Sequence, residues 1–187
     1  MSDSMQVSKL EAAQRQLDFA ICMLFAGADP IAVHTLVGAA SIIFTDMVEN
    51  IAPDKSWDKM AQNANNLAPA EYFNIMRRAQ NFFKHARTDH DAALDFDLDD
   101  TESLAFWAVM NASELAPLSI EAQVFQLWYI ASHSPVSDDN ESPLREAIQL
   151  FGDLRAKPRE ERFQAGFRVL HEASKHMSHF VIRQGLL

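Results

Sequence analysis

The chain has 187 residues, 48% of them hydrophobic and 22% charged, and a formal net charge of −10. That length suits one domain with a sizeable core, and the composition excludes general disorder. The negative charge excludes broad, sequence-independent binding to nucleic acid, which clustered Lys and Arg would drive, and leaves room only for a local basic patch.

Glycine is scarce, at 5 residues, which favours helices over a turn-rich β fold. The single cysteine, Cys22, sits among apolar neighbours and reads as a structural thiol rather than a reactive one. The N-terminal "MSDSMQVSKLEAAQ" lacks a basic region followed by an apolar core, so no signal peptide is read. No uncharged apolar run reaches the ~18 residues that span a bilayer. The expectation is a cytoplasmic protein without membrane or DNA partners.

In chain order, Leu10, Ala13, Leu17, Ile21 and Leu24 recur at helical spacing and predict a helix from about Ser8 to Ala26. "GADP" ends it: Gly27 suits a C-terminal cap, Asp29 an N-cap and Pro30 a first helical turn. A second helix follows to about Asn50, with Val33, Val37, Ala40, Phe44, Met47 and Val48 on its core face. The joint is short enough to force an antiparallel hairpin. Residues 52–68 read as a long mobile loop with at most one helical turn near Trp57 and Met60.

A third helix is predicted from "LAPAEYF" to about Arg87. The acidic stretch 88–100 follows as loop, with "ALDFDL" as a short extended segment. A fourth helix starts at Asp100 or Thr101 and is divided by Pro117 from a fifth over 118–132. After a loop over 133–142, helices are expected over 143–156 and 158–181. The fold class is therefore all-α, a single-domain bundle of six or seven helices over residues 1–187.

The chemistry is densest in "RRAQNFFKHARTDHDAALDFD", residues 77–97. On a continuous third helix, Tyr72, Ile75, Met76, Ala79, Phe82, Phe83 and Ala86 form an apolar arc. Asn74, Arg78, Asn81 and His85 form a stripe beside it, and Arg77 and Lys84 lie towards solvent. Such a stripe can hold a phosphate, because Arg offers a fork of donors and His and Asn both donate and accept. It can equally order the acidic segment, whose aspartates at 89, 91, 95 and 97 are close enough in sequence to neutralise Arg78, Lys84 or Arg87.

The run Arg78-AQNFFK-His85 resembles the signature of the HEPN superfamily of small, often dimeric all-α proteins, many of which resemble ribonucleases. That resemblance implies a metal-independent RNA-binding or RNA-cleaving role. Arg78 would clamp the phosphate, and His85 would exchange a proton with the ribose 2′-oxygen. "LEAAQRQLDFAI", "DPIAVHTLVGAA" and "NFFKHA" together resemble a family of uncharacterised bacterial proteins, over roughly the first half, and imply no activity.

His34 reads either as a histidine bonded to a neighbouring helix or as a partner of Asn81 or His85. Glu172, His176 and His179 have spacing that can hold a divalent metal, yet the Glu-x-x-His pairs of a di-iron bundle are missing, so they read as a solvated face. Trp107, Phe125, Trp128 and Tyr129 read as core or interface, with the lining of a small-molecule pocket as the alternative. No phosphate loop, nucleophile elbow or zinc knuckle is present, so no cofactor or metal is expected.

Two functions remain. One is a non-catalytic interaction or regulatory module, acting as a homo-oligomer or with a protein partner. The other is a HEPN-like RNA-binding protein or ribonuclease using Arg78 and His85, with His34, Asn74, Asn81 and Lys84 as further binding residues.

Overall fold

The computed structural model describes residues 4–87, 89–134 and 143–183, with side chains described as far as Lys175. Among the described residues the chain is all-helical. The first hairpin pairs α1 (Lys9–Phe25) with α2 (Pro30–Ile51). Ser8 and Glu11 form a reciprocal capping box that starts α1. Gly27 adopts φ +68° after its end, a left-handed conformation that glycine takes without steric cost. Asp29 accepts from the backbone N–H groups of Ile31 and Ala32 to start α2. All of these signals are local, and the expected hairpin forms with the expected boundaries.

By length and composition α2 is apolar enough to cross a membrane, with mean hydropathy 1.7. In the fold it is the central core helix, packed against α1 on one side and α6 on the other. Val33, Val37, Ala40, Phe44 and Val48 are all buried along it.

The expected loop over 52–68 is instead structured. A single 3-10 turn (Pro53–Lys55) leads into α3 (Trp57–Asn65). Asp58, buried at 4% exposure, anchors it. Its carboxylate accepts from Thr45 Oγ1 at 2.7 Å, Tyr72 Oη at 2.8 Å and Asn111 Nδ2 at 2.7 Å. Asn111 Oδ1 also accepts from the Trp57 backbone N–H at 3.0 Å. Burial and the adjacent Asp58 push the Tyr72 hydroxyl pKa up, so it remains a donor.

The expected third helix is two, α4 (Pro69–Met76) and α5 (Arg78–Lys84). They meet at Arg77, whose φ −103°, ψ 7° leaves helical geometry. The break upsets the expected arc. Tyr72 and Ala79 are buried, but Ile75 is 60% exposed and Gln80 is buried instead. Among its described residues, the stretch before α6 (Asp99–Ser113) forms no strand. Beyond it lie α7 (Ile120–His133), α8 (Leu144–Phe151) and α9 (Arg159–Arg183). The added α3 and the divided third helix account for nine α-helices among the described residues where six or seven were expected. Most of the expected 133–142 loop, residues 135–142, lies outside the described residues.

One apolar core draws on α1, α2, α6, α7, α8 and α9. Phe125 and Trp128 are fully buried in it, and Trp128 Nε1 donates to the Arg162 carbonyl at 2.7 Å. Trp107 and Tyr129 are half-buried at its edge. Helices α1 and α9 approach closely because position 166 is glycine: a Cβ there would lie 2.3 Å from the Phe25 ring. Gly166→Ala is expected to destabilise the chain by about 1–3 kcal/mol through overpacking, read by urea denaturation. A Phe25→Leu background should recover part of that loss.

Candidate ligand site between α2, α4, α5 and α6

The first turn of α6 reads Asp99-Asp100-Thr101-Glu102-Ser103, and each residue engages a different part of the fold. Asp97 caps the turn, its carboxylate accepting from the Asp99 N–H at 2.9 Å. Asp99 pairs with Arg159 on α9 at 3.1 Å. Thr101 Oγ1 lies 3.0 Å from His34 Nδ1. Ser103 meets Tyr129 Oη at 3.3 Å.

Glu102 has no exposed surface. Its carboxylate lies 2.9 Å from His133 Nε2 on α7 and 3.2 Å from Arg162 Nη1 on α9, and it also pairs with Arg159. Arg162 Nη1 is 3.1 Å from His133 Nε2 as well. A ring nitrogen that donates to Glu102 cannot accept from Arg162, so both side chains are read as donors to the carboxylate. Burial pushes the Glu102 carboxyl up, but the His133 hydrogen bond and the two guanidinium groups outweigh it and hold it below the usual carboxylate range.

On the other side of that turn lies a cavity of about 620 Å³. Its walls carry His34 from α2, Glu71, Asn74, Ile75 and Met76 from α4, Arg78 and Ala79 from α5, and Asp100, Ser103 and Leu104 from α6. The volume falls in the range of small-molecule sites. Arg78 Nη2 donates to the Asp95 carbonyl at 3.3 Å. Burial and nearby Asp97 raise the Asp100 carboxyl pKa despite Arg78.

His34 is 1% exposed. The rings of Phe96 and Phe83 stand edge-on to it, with centroids at 5.0 and 5.8 Å. Its Nε2 is buried without a hydrogen-bond partner. Counting protons assigns the tautomer. If the Thr101 hydroxyl donates to Nδ1, only the Nε2–H is left over. The opposite tautomer would strand both the hydroxyl proton and the Nε2 lone pair. The ring therefore presents an unpaired Nε2–H. Burial lowers its pKa from 6.5 to about 4, so it is neutral at pH 7. Beside it, Gln80 is 1% exposed with both amide atoms unpartnered. Its side chain fills the space a Cβ at Gly38 would need.

The sequence-derived residues divide. His34, Asn74 and Arg78 line one cavity. Asn81, Lys84 and His85 are exposed and do not line it. His85 follows the end of α5 with extended backbone, φ −128°, ψ 132°, so the helical register that placed it in a stripe with Arg78 stops one residue short. The side chain that meets His34 is Thr101, rather than Asn81 or His85.

Glu102, His133, Arg159 and Arg162 were not singled out from sequence. A signal existed: Glu102 stands three and seven residues before buried Ala105 and Val109, inside an apolar stripe. The Cys22 thiol pKa is raised by burial, as suits an inert thiol. Among the described residues no group of three metal-ligating side chains occurs. The side chains of His176 and His179 lie outside the described residues.

Glu102→Gln should cost roughly 3 kcal/mol, because it leaves the buried Arg162 without its counter-charge. Its pH signature follows from the lowered carboxyl. The wild type keeps the Glu102 contribution above pH 4.5 and loses it as pH falls through the lower folded value. The variant should lack that slope in acid denaturation. His34 adds a separate slope. The unfolded chain takes up its proton below pH 6.5 and the folded chain only near 4, so stability falls with pH across that window. His34→Gln should flatten it, as followed by urea midpoints at a series of pH values.

Comparison with protein-family models, with curated proteins and with solved structures finds no match to this chain.

Proposed function

We propose that this chain is a non-catalytic helical module that binds a small molecule in the cavity around His34 and Arg78. Binding there serves an interaction or regulatory role, with a second copy or another protein as partner. The observation that carries this reading is His34, which lines a 620 Å³ cavity and whose buried Nε2 has no hydrogen-bond partner. A buried donor without a partner costs about 1–3 kcal/mol, and a ligand acceptor would remove that cost.

The lining chemistry supports binding over catalysis. Ser103, the cavity's hydroxyl, meets Tyr129 rather than a histidine. His34 spends Nδ1 on Thr101, and burial keeps the ring a weak base. No nucleophile–base pair results. The ribonuclease alternative needs Arg78 and His85 at one phosphate, and Arg78 lines the cavity while His85 does not. Glu71 and Asp100 in the walls, with Asp97 and Asp99 near Asp100, also oppose a polyanion.

Two measurements test this. In expressing cells, wild type and His85→Ala should leave identical RNA profiles. RNA cleavage that disappears in His85→Ala would restore the ribonuclease reading. Purified wild type, once denatured, should release a small molecule that a cavity-filling Ser103→Phe variant with an intact melting transition does not retain. Equal release from both removes the binding reading.

A further inference from the structure

The cavity also carries information about its ligand, if the binding reading holds. Two carboxylates, Glu71 and Asp100, and one guanidinium, Arg78, line it. Arg78 is already engaged, donating to the Asp95 carbonyl and interacting with Asp100. The surroundings add Asp97 and Asp99 within electrostatic reach of Asp100. An entering anion would meet this excess of negative charge, on a chain whose net charge is −10. An entering cation would be drawn to it.

A bare cation leaves one feature unanswered. The His34 Nε2–H is a donor, so it calls for an acceptor on the ligand. Asn74 and Ser103 can donate or accept between the two ends, and Ile75, Met76, Ala79 and Leu104 supply an apolar wall.

We infer that the cavity takes a small primary ammonium compound that carries a neutral carbonyl oxygen and an apolar side group, the chemistry of an amino-acid amide. The ammonium sits between Glu71 and Asp100, the carbonyl accepts from His34 Nε2–H, and the side group lies against Ile75, Met76 and Leu104. Arg78 is spent on the Asp95 carbonyl and does not bind the ligand. Because Nε2 itself is buried, the α4–α5 wall shifts for the carbonyl to reach it. Gln80 on that wall has no hydrogen bond to lose.

Three probes of one shape separate the parts: leucinamide, leucine and N-acetylleucinamide, titrated calorimetrically into the full chain at neutral pH and low salt. Leucinamide should bind. Leucine, with a carboxylate added, should bind several-fold more weakly, and N-acetylleucinamide, with the cation removed, at least about tenfold more weakly. Glu71→Gln and Asp100→Asn should each weaken leucinamide by about three- to tenfold. Arg78→Gln should leave it unchanged or tighter, an outcome that general loss of structure would not produce. His34→Gln should narrow the gap between leucinamide and a simple alkylamine, isobutylamine.

Equal binding of the acetylated probe, tighter binding of leucine, or weakening by Arg78→Gln overturns the assignment. So does the absence of leucinamide binding up to about 10 mM. Failure here is distinct from failure of the binding reading. A different molecule released by wild type and not by Ser103→Phe would keep the cavity as a ligand site and change only its chemistry.

Discussion

Glu102 places a carboxylate where no surface is exposed, and side chains from two other helices have to meet it there. Taking an ion out of water costs several kcal/mol even after relaxation. Only a position shared by His133, Arg159 and Arg162 offsets that cost, so the register of α6 against α7 and α9 is fixed by one residue. The partners act from different heights on α9, because Arg159 and Arg162 are three residues apart and sit one above the other. Sliding α9 by a turn would unpair at least one guanidinium. The apolar contacts around Phe125 and Trp128 supply most of the burial, but apolar contact is non-directional and would tolerate such a slip.

With α6 fixed in this way, the rest of its first turn is placed as well. Thr101 is carried to His34, and Asp100 and Ser103 to the cavity. The same five-residue turn therefore faces a charge cluster on one side and a ligand-sized space on the other. Asp58 plays a parallel role further along α6, where Asn111 joins it to Thr45 and Tyr72. That carboxylate is met by hydroxyl and amide donors rather than cations, which gives α3 its place against α2, α4 and α6.

How much of this could be read from the sequence follows from the range of each interaction. The α1–α2 hairpin was legible because its capping box, its N-cap Asp29 and its apolar periodicity all act within a few residues. The 52–68 segment was not. Its polar composition resembles a loop, and what orders it is Asp58 reaching residues 45, 72 and 111. The break at Arg77 carries no Pro or Gly, and Arg77 itself lies over the Phe73 ring at 4.1 Å, so nothing in the local pattern warned of it. That single interruption exposed Ile75 and buried Gln80, and the end of α5 at Lys84 took His85 out of the register of Arg78. His34, Asn74 and Arg78 were found because polar groups beside an apolar face are visible in a helical projection. The Glu102 cluster was missed because its ion pairs to α9 span 57 and 60 residues.

The cavity walls are unequal in how firmly they are held. The α6 wall is tied through Glu102 to α7 and α9, and the α2 wall belongs to the central hairpin. The α4–α5 wall has a break at Arg77, an unpartnered Gln80 amide and an exposed Ile75. Regions with few satisfied buried groups open at lower free energy than the core. The α4–α5 side is therefore the one expected to open first. On the α2 side stands His34, which meets through Thr101 the turn that carries Glu102. The contacts leading away from the cavity run from His34 through Thr101 and that turn to Arg159 and Arg162 on α9.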